Sequence, residues 1–124
     1  MQDIETQSDC RDLVEKFYAR VRCDALLGPI FAERLDGRWP EHLAKMERFW
    51  ATVLLAAPLY AGRPLEAHLG LAINAQHFQR WIVLWTQTLD ERFCGPRAEH
   101  AKRAAPRIAE RMLAFVEGTM SASP

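Results

Sequence analysis

Glycine and proline punctuate this chain and divide it into separate segments. Breaks fall at Gly28-Pro29, Asp36-Gly37, Pro58, Gly62 to Pro64, Gly70 and Gly95-Pro96. The segments between the breaks carry apolar residues at helical spacing. None sustains the alternation of a strand, and β-branched residues are few, so the chain is predicted to be all-α. Its 124 residues make one domain over 1–124. A chain of this size buries roughly two-thirds of its unfolded surface and needs no disulfide or metal to fold.

The first helix is predicted from Asp9 to Cys23. Asp9 is its cap, Asp12 stands in the capping-box position, and Leu13, Val14, Phe17, Tyr18 and Val21 lie on one face. The segment Ala25 to Phe31 reads as an apolar corner turned at Pro29. The next helix opens near Pro40, which a first turn tolerates, and closes at Pro58. His42, Met46, Phe49, Trp50 and Val53 form its stripe. Residues Arg63 to Gly70 read as a short helix, followed by a looser stretch from Leu71 to Ala75. A fourth strong segment covers Gln76 to Arg92, with Phe78, Trp81, Ile82, Trp85 and Leu89 on its apolar face. The last helix covers Pro96 to Glu117, with Ile108, Met112, Phe115 and Val116 inward. Pro106 predicts a kink or a late start in it, and Gly118 its end. Residues 1–8 and 119–124 read as flexible tails.

Composition narrows the function. Lys plus Arg and Asp plus Glu both number 16, so the basic surplus of a nucleic-acid binder is missing. The three cysteines, Cys10, Cys23 and Cys94, show no CxxC and no finger spacing. That argues against a disulfide scaffold and a thiolate zinc site and fits a reducing cytoplasm. The opening residues MQDIETQSD are polar and acidic, unlike a signal peptide. The longest clean apolar run, Val53 to Ala57, is stopped by Pro58, so membrane insertion is not expected. No HExxH, GxGxxG, Walker A or GxSxG pattern occurs.

Four histidines are candidates for chemistry. His68 lies on the short helix, walled by Leu65, Leu69 and Leu71, with Glu66 as its polar neighbour. It reads either as a core or boundary histidine with a backbone hydrogen bond, or as a single axial ligand to haem iron. His42 stands in a first turn beside Glu41, in register with Met46, Phe49 and Trp50, and so faces either solvent or the interior. His77 reads as surface or boundary, and His100 as part of a solvated face. Aromatic residues make up 10% of the chain, and their first use is core filling. Tyr18 and Trp81, however, each bring a polar hydrogen to an apolar face, and buried Tyr and Trp hydrogens seek partners. If the Tyr18 O–H, Trp81 N–H and a His42 N–H met at one cavity, they would suit a diatomic ligand carrying partial negative charge.

The order and spacing of several pieces resemble the group III truncated haemoglobins of bacteria over about Leu13 to Met112. Those pieces are Phe17-Tyr18, Asp24 to Phe31 (DALLGPIF), Trp39 to Leu43 (WPEHL), Phe49-Trp50, Tyr60 to Pro64 (YAGRP), His68-Leu69, His77 to Trp81 (HFQRW) and Thr88 to Glu91 (TLDE). The chain also lacks the paired-glycine motifs of the other truncated groups, as group III members do. It departs from the family in having Leu71 to Ala75, without proline, after the histidine.

The resemblance implies a two-over-two helical sandwich around haem b (iron protoporphyrin IX), built from the helices starting at Asp9, Pro40, Gln76 and Pro96. It places the proximal iron ligand on His68 and the distal residues on Tyr18, His42 and Trp81. His42 would either hydrogen-bond the ligand or swing as a gate. Phe31 becomes a wall of the haem pocket, with Met46, Phe49 and Trp50 also lining it. Arg63 and Arg80 are either propionate partners or solvated arginines. The implied function is binding of O2, CO or NO at ferrous iron. One alternative is a haem redox enzyme, an NO dioxygenase or a peroxidase-like catalyst served by a separate reductase. The other is a cofactor-free helical interaction module. The oligomeric state is not readable from the sequence.

Overall fold

In a computed structural model, residues 1–56 and 73–121 are described, with side chains as far as Val116. The short helix predicted over Arg63 to Gly70, and His68 with it, lies outside the described residues. Helix α1 spans Gln7–Cys23 and starts earlier than predicted. Thr6 is its cap, and Asp9 is the partner three residues on rather than the cap itself. The Thr6 hydroxyl accepts from the Asp9 amide at 3.2 Å, and the Asp9 carboxylate accepts from the Thr6 amide at 3.0 Å. This reciprocal pair satisfies two amides that a helix start leaves open, which Asp9 and Asp12 together do not do. Leu13, Val14, Phe17, Tyr18 and Val21 are buried, as their spacing predicts.

After α1 the Asp24 carboxylate accepts from the amides of Leu26 and Leu27, both at 3.0 Å, and turns the chain. The predicted corner then becomes a helix, α2 (Gly28–Leu35), with Pro29 in its first turn. Proline suits that place because the N–H it lacks would have no helical partner. Gly28 permits the tight approach to α1: a Cβ there would stand 2.9 Å from the Arg22 carbonyl oxygen.

Helix α3 (Trp39–Leu55) carries Pro40 in its first turn, as predicted. It closes before Pro58, at Ala56, which takes a left-handed conformation (φ 55°) and returns its amide to the Ala51 carbonyl. Glu47 fastens α3 to α1. Its buried carboxylate accepts from Gln7 Nε2 at 2.7 Å and Arg11 Nε at 2.8 Å. Burial works to raise its pKa, but those two bonds and the charges of Arg11 and Arg48 outweigh burial and hold it below the usual value.

Helix α4 (Ala75–Arg92) is capped by Asn74, whose side chain accepts from the Gln76 amide at 2.9 Å. His77 completes this cap. Its Nδ1 accepts from the Asn74 amide at 3.1 Å, which accounts for its boundary position. Helix α5 (Pro96–Ser121) neither starts late at Pro106 nor stops at Gly118. Pro106 is exposed, and on that side water can serve the carbonyl that loses its helical donor. Alanines 98, 101, 105 and 109 form its buried face, with Met112 and Val116 beyond them, while Ile108 and Phe115 are half-buried.

The expected loose segment over residues 1–8 is instead tied down. Ile4 is fully buried, and the Asp3 carboxylate accepts from the amides of Arg97 and Ala98 at 3.0 and 2.9 Å. The first turn of α5 is thus capped by a residue more than ninety positions away. Gln7 and Ser8 already belong to α1.

α1 packs on α3 and on α4, and α4 packs on α5, so two helix pairs are layered across α1 and α4. This is the predicted two-over-two arrangement. Arg92 grips Asp12 through two bonds of 2.6 and 2.9 Å, and Arg20 pairs with Glu91, locking α4 to α1. Among the described residues no helix is long and apolar enough to cross a membrane.

Candidate functional site

The site grows from Tyr18, midway along α1. Its ring is buried, because position 18 follows Leu13, Val14 and Phe17 on the inward face. The His42 ring meets it edge-on, with centroids 4.7 Å apart and planes at 83°. Phe31 from α2 lies at 5.9 Å and Trp39 from α3 at 6.0 Å. Three helices therefore enclose one phenol.

The fourth wall is Trp81 of α4, whose indole N–H lies on the Tyr18 side and acts as a donor toward the phenol oxygen, countering part of the effect of burial on its pKa. An indole can only donate, so Tyr18 accepts here and its own hydrogen stays available for another acceptor. Burial pushes the Tyr18 pKa well above its ordinary value, and the Trp81 hydrogen bond offsets this only in part. The phenol is therefore a protonated donor at any physiological pH.

Tyr18, His42 and Trp81 thus converge on one place, a question the sequence leaves open. His42 Nε2 is sealed from solvent, so the ring faces inward rather than out from its first turn. Met46 and Phe49 stand half-buried further along the same face of α3. Trp50 sits deeper than a pocket lining: it is 2% exposed and stacks on Trp85 with centroids 4.3 Å apart. Arg80 lies 3.6 Å from Asp24, so its charge already has a protein partner. Arg63, like His68, lies outside the described residues.

Two site residues were missing from the sequence-based set. Trp39 packs against Tyr18, Phe31 and His42 and is covered by the Arg22 guanidinium, 4.6 Å from the ring centre. Its signal was available, since it stands one turn before His42. Trp85 backs Trp81 from inside the core, one turn further along α4.

Phe31, Met46, Phe49, Val53, Trp81 and Ile108 are half-buried and pack against the core, so among the described residues their apolar surface is only partly covered. Met46, Phe49 and Val53 follow at i, i+3 and i+7, a continuous helical stripe. Such a surface suits a large flat apolar group with its polar contacts at Tyr18 and His42. It matches the donor chemistry of a haem pocket.

Comparisons with known proteins bear on this geometry. A family model described as bacterial-like globin matches residues 2–115. The chain is 41% identical over 88 residues to the group 3 truncated hemoglobin ctb of Campylobacter jejuni, covering 68% of this chain and 69% of that protein. It is 29% identical over 109 residues to the group 1 truncated hemoglobin GlbN of Nostoc commune, covering 86% of each. Among solved structures, the group III truncated hemoglobin from Campylobacter jejuni superposes with a TM-score of 0.83 at 33% identity, over 94% of this chain and 95% of that one.

Proposed function

The chain belongs to the bacterial-like globin family, and we propose that it is a haem b protein that binds O2, and also CO and NO, with His68 as the proximal iron ligand. The observation that carries the reading is the meeting of Tyr18, His42 and Trp81, from three different helices, beside a half-covered apolar stripe. Haem, when bound, supplies the ferrous iron at which a diatomic ligand is held.

The protein's own residues then decide how long the ligand stays. Tyr18 directs its hydroxyl hydrogen at the ligand's negative end, and Trp81, by donating to the same oxygen, holds that hydroxyl in place and makes it a stronger donor. The ligand therefore has one direct phenol donor backed by the indole, rather than two independent donors. His42 stands edge-on to Tyr18 and adds a second contact or a gate from α3. Phe31, Met46 and Phe49 exclude water from the same space. Arg80, already paired with Asp24, fits a structural role better than a propionate contact.

The deciding experiment is an absorption spectrum of the purified protein, ferric and then ferrous with CO, beside His68→Ala. A strong Soret band in the wild type, lost or shifted in the variant, is expected. No Soret band even after adding hemin would overturn the reading.

A further inference from the structure

Three of the four tryptophans form an unbroken stack that runs from the ligand site into the core. Trp81 and Trp85 lie parallel, centroids 6.3 Å apart and planes within 6°. Trp85 and Trp50 follow at 4.3 Å and 26°. Phe17 closes the angle between the first two, edge-on at 5.9 Å to Trp81 and 5.0 Å to Trp85. One end of the stack touches the site, where Trp81 donates to Tyr18. The other end is deep in the core, with Trp85 fully buried and Trp50 2% exposed. Filling that volume does not call for indoles. Leucine or phenylalanine packs without an N–H to satisfy, whereas Trp85 must donate to the Ala101 carbonyl at 3.0 Å.

Indoles and phenols are the side chains most easily oxidised by one electron without bond cleavage, and transfer between rings in contact is fast. We propose that Trp81, Trp85 and Trp50 form a relay that carries oxidising equivalents out of the pocket, so that oxidation by hydrogen peroxide comes to rest on Trp50. The relay rests on the haem reading only in that the pocket is where peroxide would be reduced. Hydrogen peroxide takes two electrons and two protons and leaves as two waters. Tyr18 gives one electron and its hydroxyl proton. Trp81 gives the second electron and is refilled by Trp85, which is refilled by Trp50; the second proton comes from solvent. The products are two waters, a Tyr18 phenoxyl radical and a Trp50 radical cation. Contact at 4.3 Å lets Trp50 and Trp85 share that cation, which offsets part of the cost of holding a charge in the core.

The test reads where oxidation lands. Protein with a verified Soret band is mixed with equimolar hydrogen peroxide, freeze-quenched for electron paramagnetic resonance, and digested for mass spectrometry. Direct attack from solvent would mark the half-buried Trp81 and Trp39 and spare Trp50. The relay predicts the reverse: a tryptophan radical signal with the stable product on Trp50. In Trp85→Phe the Trp50 product is lost and products on Trp81 and Tyr18 rise. Trp50→Phe, which leaves the Ala101 hydrogen bond in place, moves the product to Trp85. Products on Trp81 and Trp39 with Trp50 untouched, or a pattern unchanged in both variants, would overturn the relay. A second trigger separates it from the haem reading. Azidyl radicals from pulse radiolysis each take one electron from an accessible indole and become azide, with no haem needed. Migration of that oxidation to Trp50 supports the relay even if no Soret band forms, and its absence there counts against the relay alone.

Discussion

Tyr18 concentrates the chemistry of this protein in one oxygen atom. The phenol accepts from Trp81 and keeps its own hydrogen for a bound ligand. A hydrogen bond to a charged acceptor contributes about 1.5–3 kcal/mol, so Tyr18→Phe should speed O2 dissociation by roughly tenfold to a hundredfold. Stopped-flow displacement of O2 by CO checks this, and an unchanged rate would remove Tyr18 from the ligand's surroundings. Trp81→Phe should have a smaller effect of the same sign, because it weakens the donor without deleting it. Cys10 sits under a different control. Burial, assisted by the charges of Asp9 and Glu47, pushes its thiol up to about 11, while Cys23 and Cys94 are exposed. Iodoacetamide at mildly alkaline pH should therefore label Cys23 and Cys94 and leave Cys10 unmodified, as peptide mass spectrometry would show. The inward positions of Tyr18 and Trp81 were legible at this scale from their helical stripes, whereas the side that His42 faces was left open and the grouping of the three came from the family resemblance. The Trp81-to-Tyr18 bond was not legible, since periodicity gives a side chain's face but not where its hydrogen points.

Helix boundaries depend on caps, and the caps explain where element-level reading succeeded or failed. α4 was placed within one residue because its cap, Asn74, is adjacent in sequence. The start of α5 at Pro96 was legible from Gly95-Pro96, but its Asp3 cap was not, because no local pattern reveals a partner so distant in sequence. Burial alone would raise the Asp3 pKa, but the amides of Arg97, Ala98 and Ile4 and the Arg97 guanidinium outweigh it, so the carboxyl titrates below its ordinary value. A lowered folded-state pKa adds stability that is present above the unfolded value of about 3.9 and lost as pH falls through the folded one. Asp3→Asn should therefore lower Tm at neutral pH, and the gap between variant and wild type should close in strong acid. A gap that persists there would mean the carboxylate charge is not what matters. Gly95 belongs to the same joint. It adopts φ +135°, and a Cβ there would stand 2.6 Å from Asp3 Cγ. Gly95→Ala should thus expel the N-terminal strap and expose Ile4, which faster amide exchange at residues 2–5 would report.

At the scale of the whole molecule, two helix pairs bury one face of each element, and among the described residues an apolar stripe of α3 is only partly buried. Pattern reading recovered α1, α3, α4 and α5, each with a single apolar face, and the family resemblance supplied their layering; four such faces close economically as a layered pair. It could not recover the depth of Trp50, because a stripe position does not say whether protein or cofactor lies opposite. If haem is what completes that face, it acts as part of the core, and binding must stabilise the fold. At free haem about a thousandfold above its dissociation constant, the gain is about 4 kcal/mol. For a domain of this size each kcal/mol moves Tm by about 2–8 °C, so saturation with hemin should raise Tm by roughly 10 °C or more. His68→Ala should forfeit most of that shift, because the iron bond contributes much of the affinity. Phe31→Ala should forfeit only part, because it removes one wall and leaves the bond. Differential scanning calorimetry with and without hemin decides it. Equal melting with and without hemin would mean that the helices seal the stripe by themselves, and that the histidine, tyrosine and tryptophan converge for packing alone.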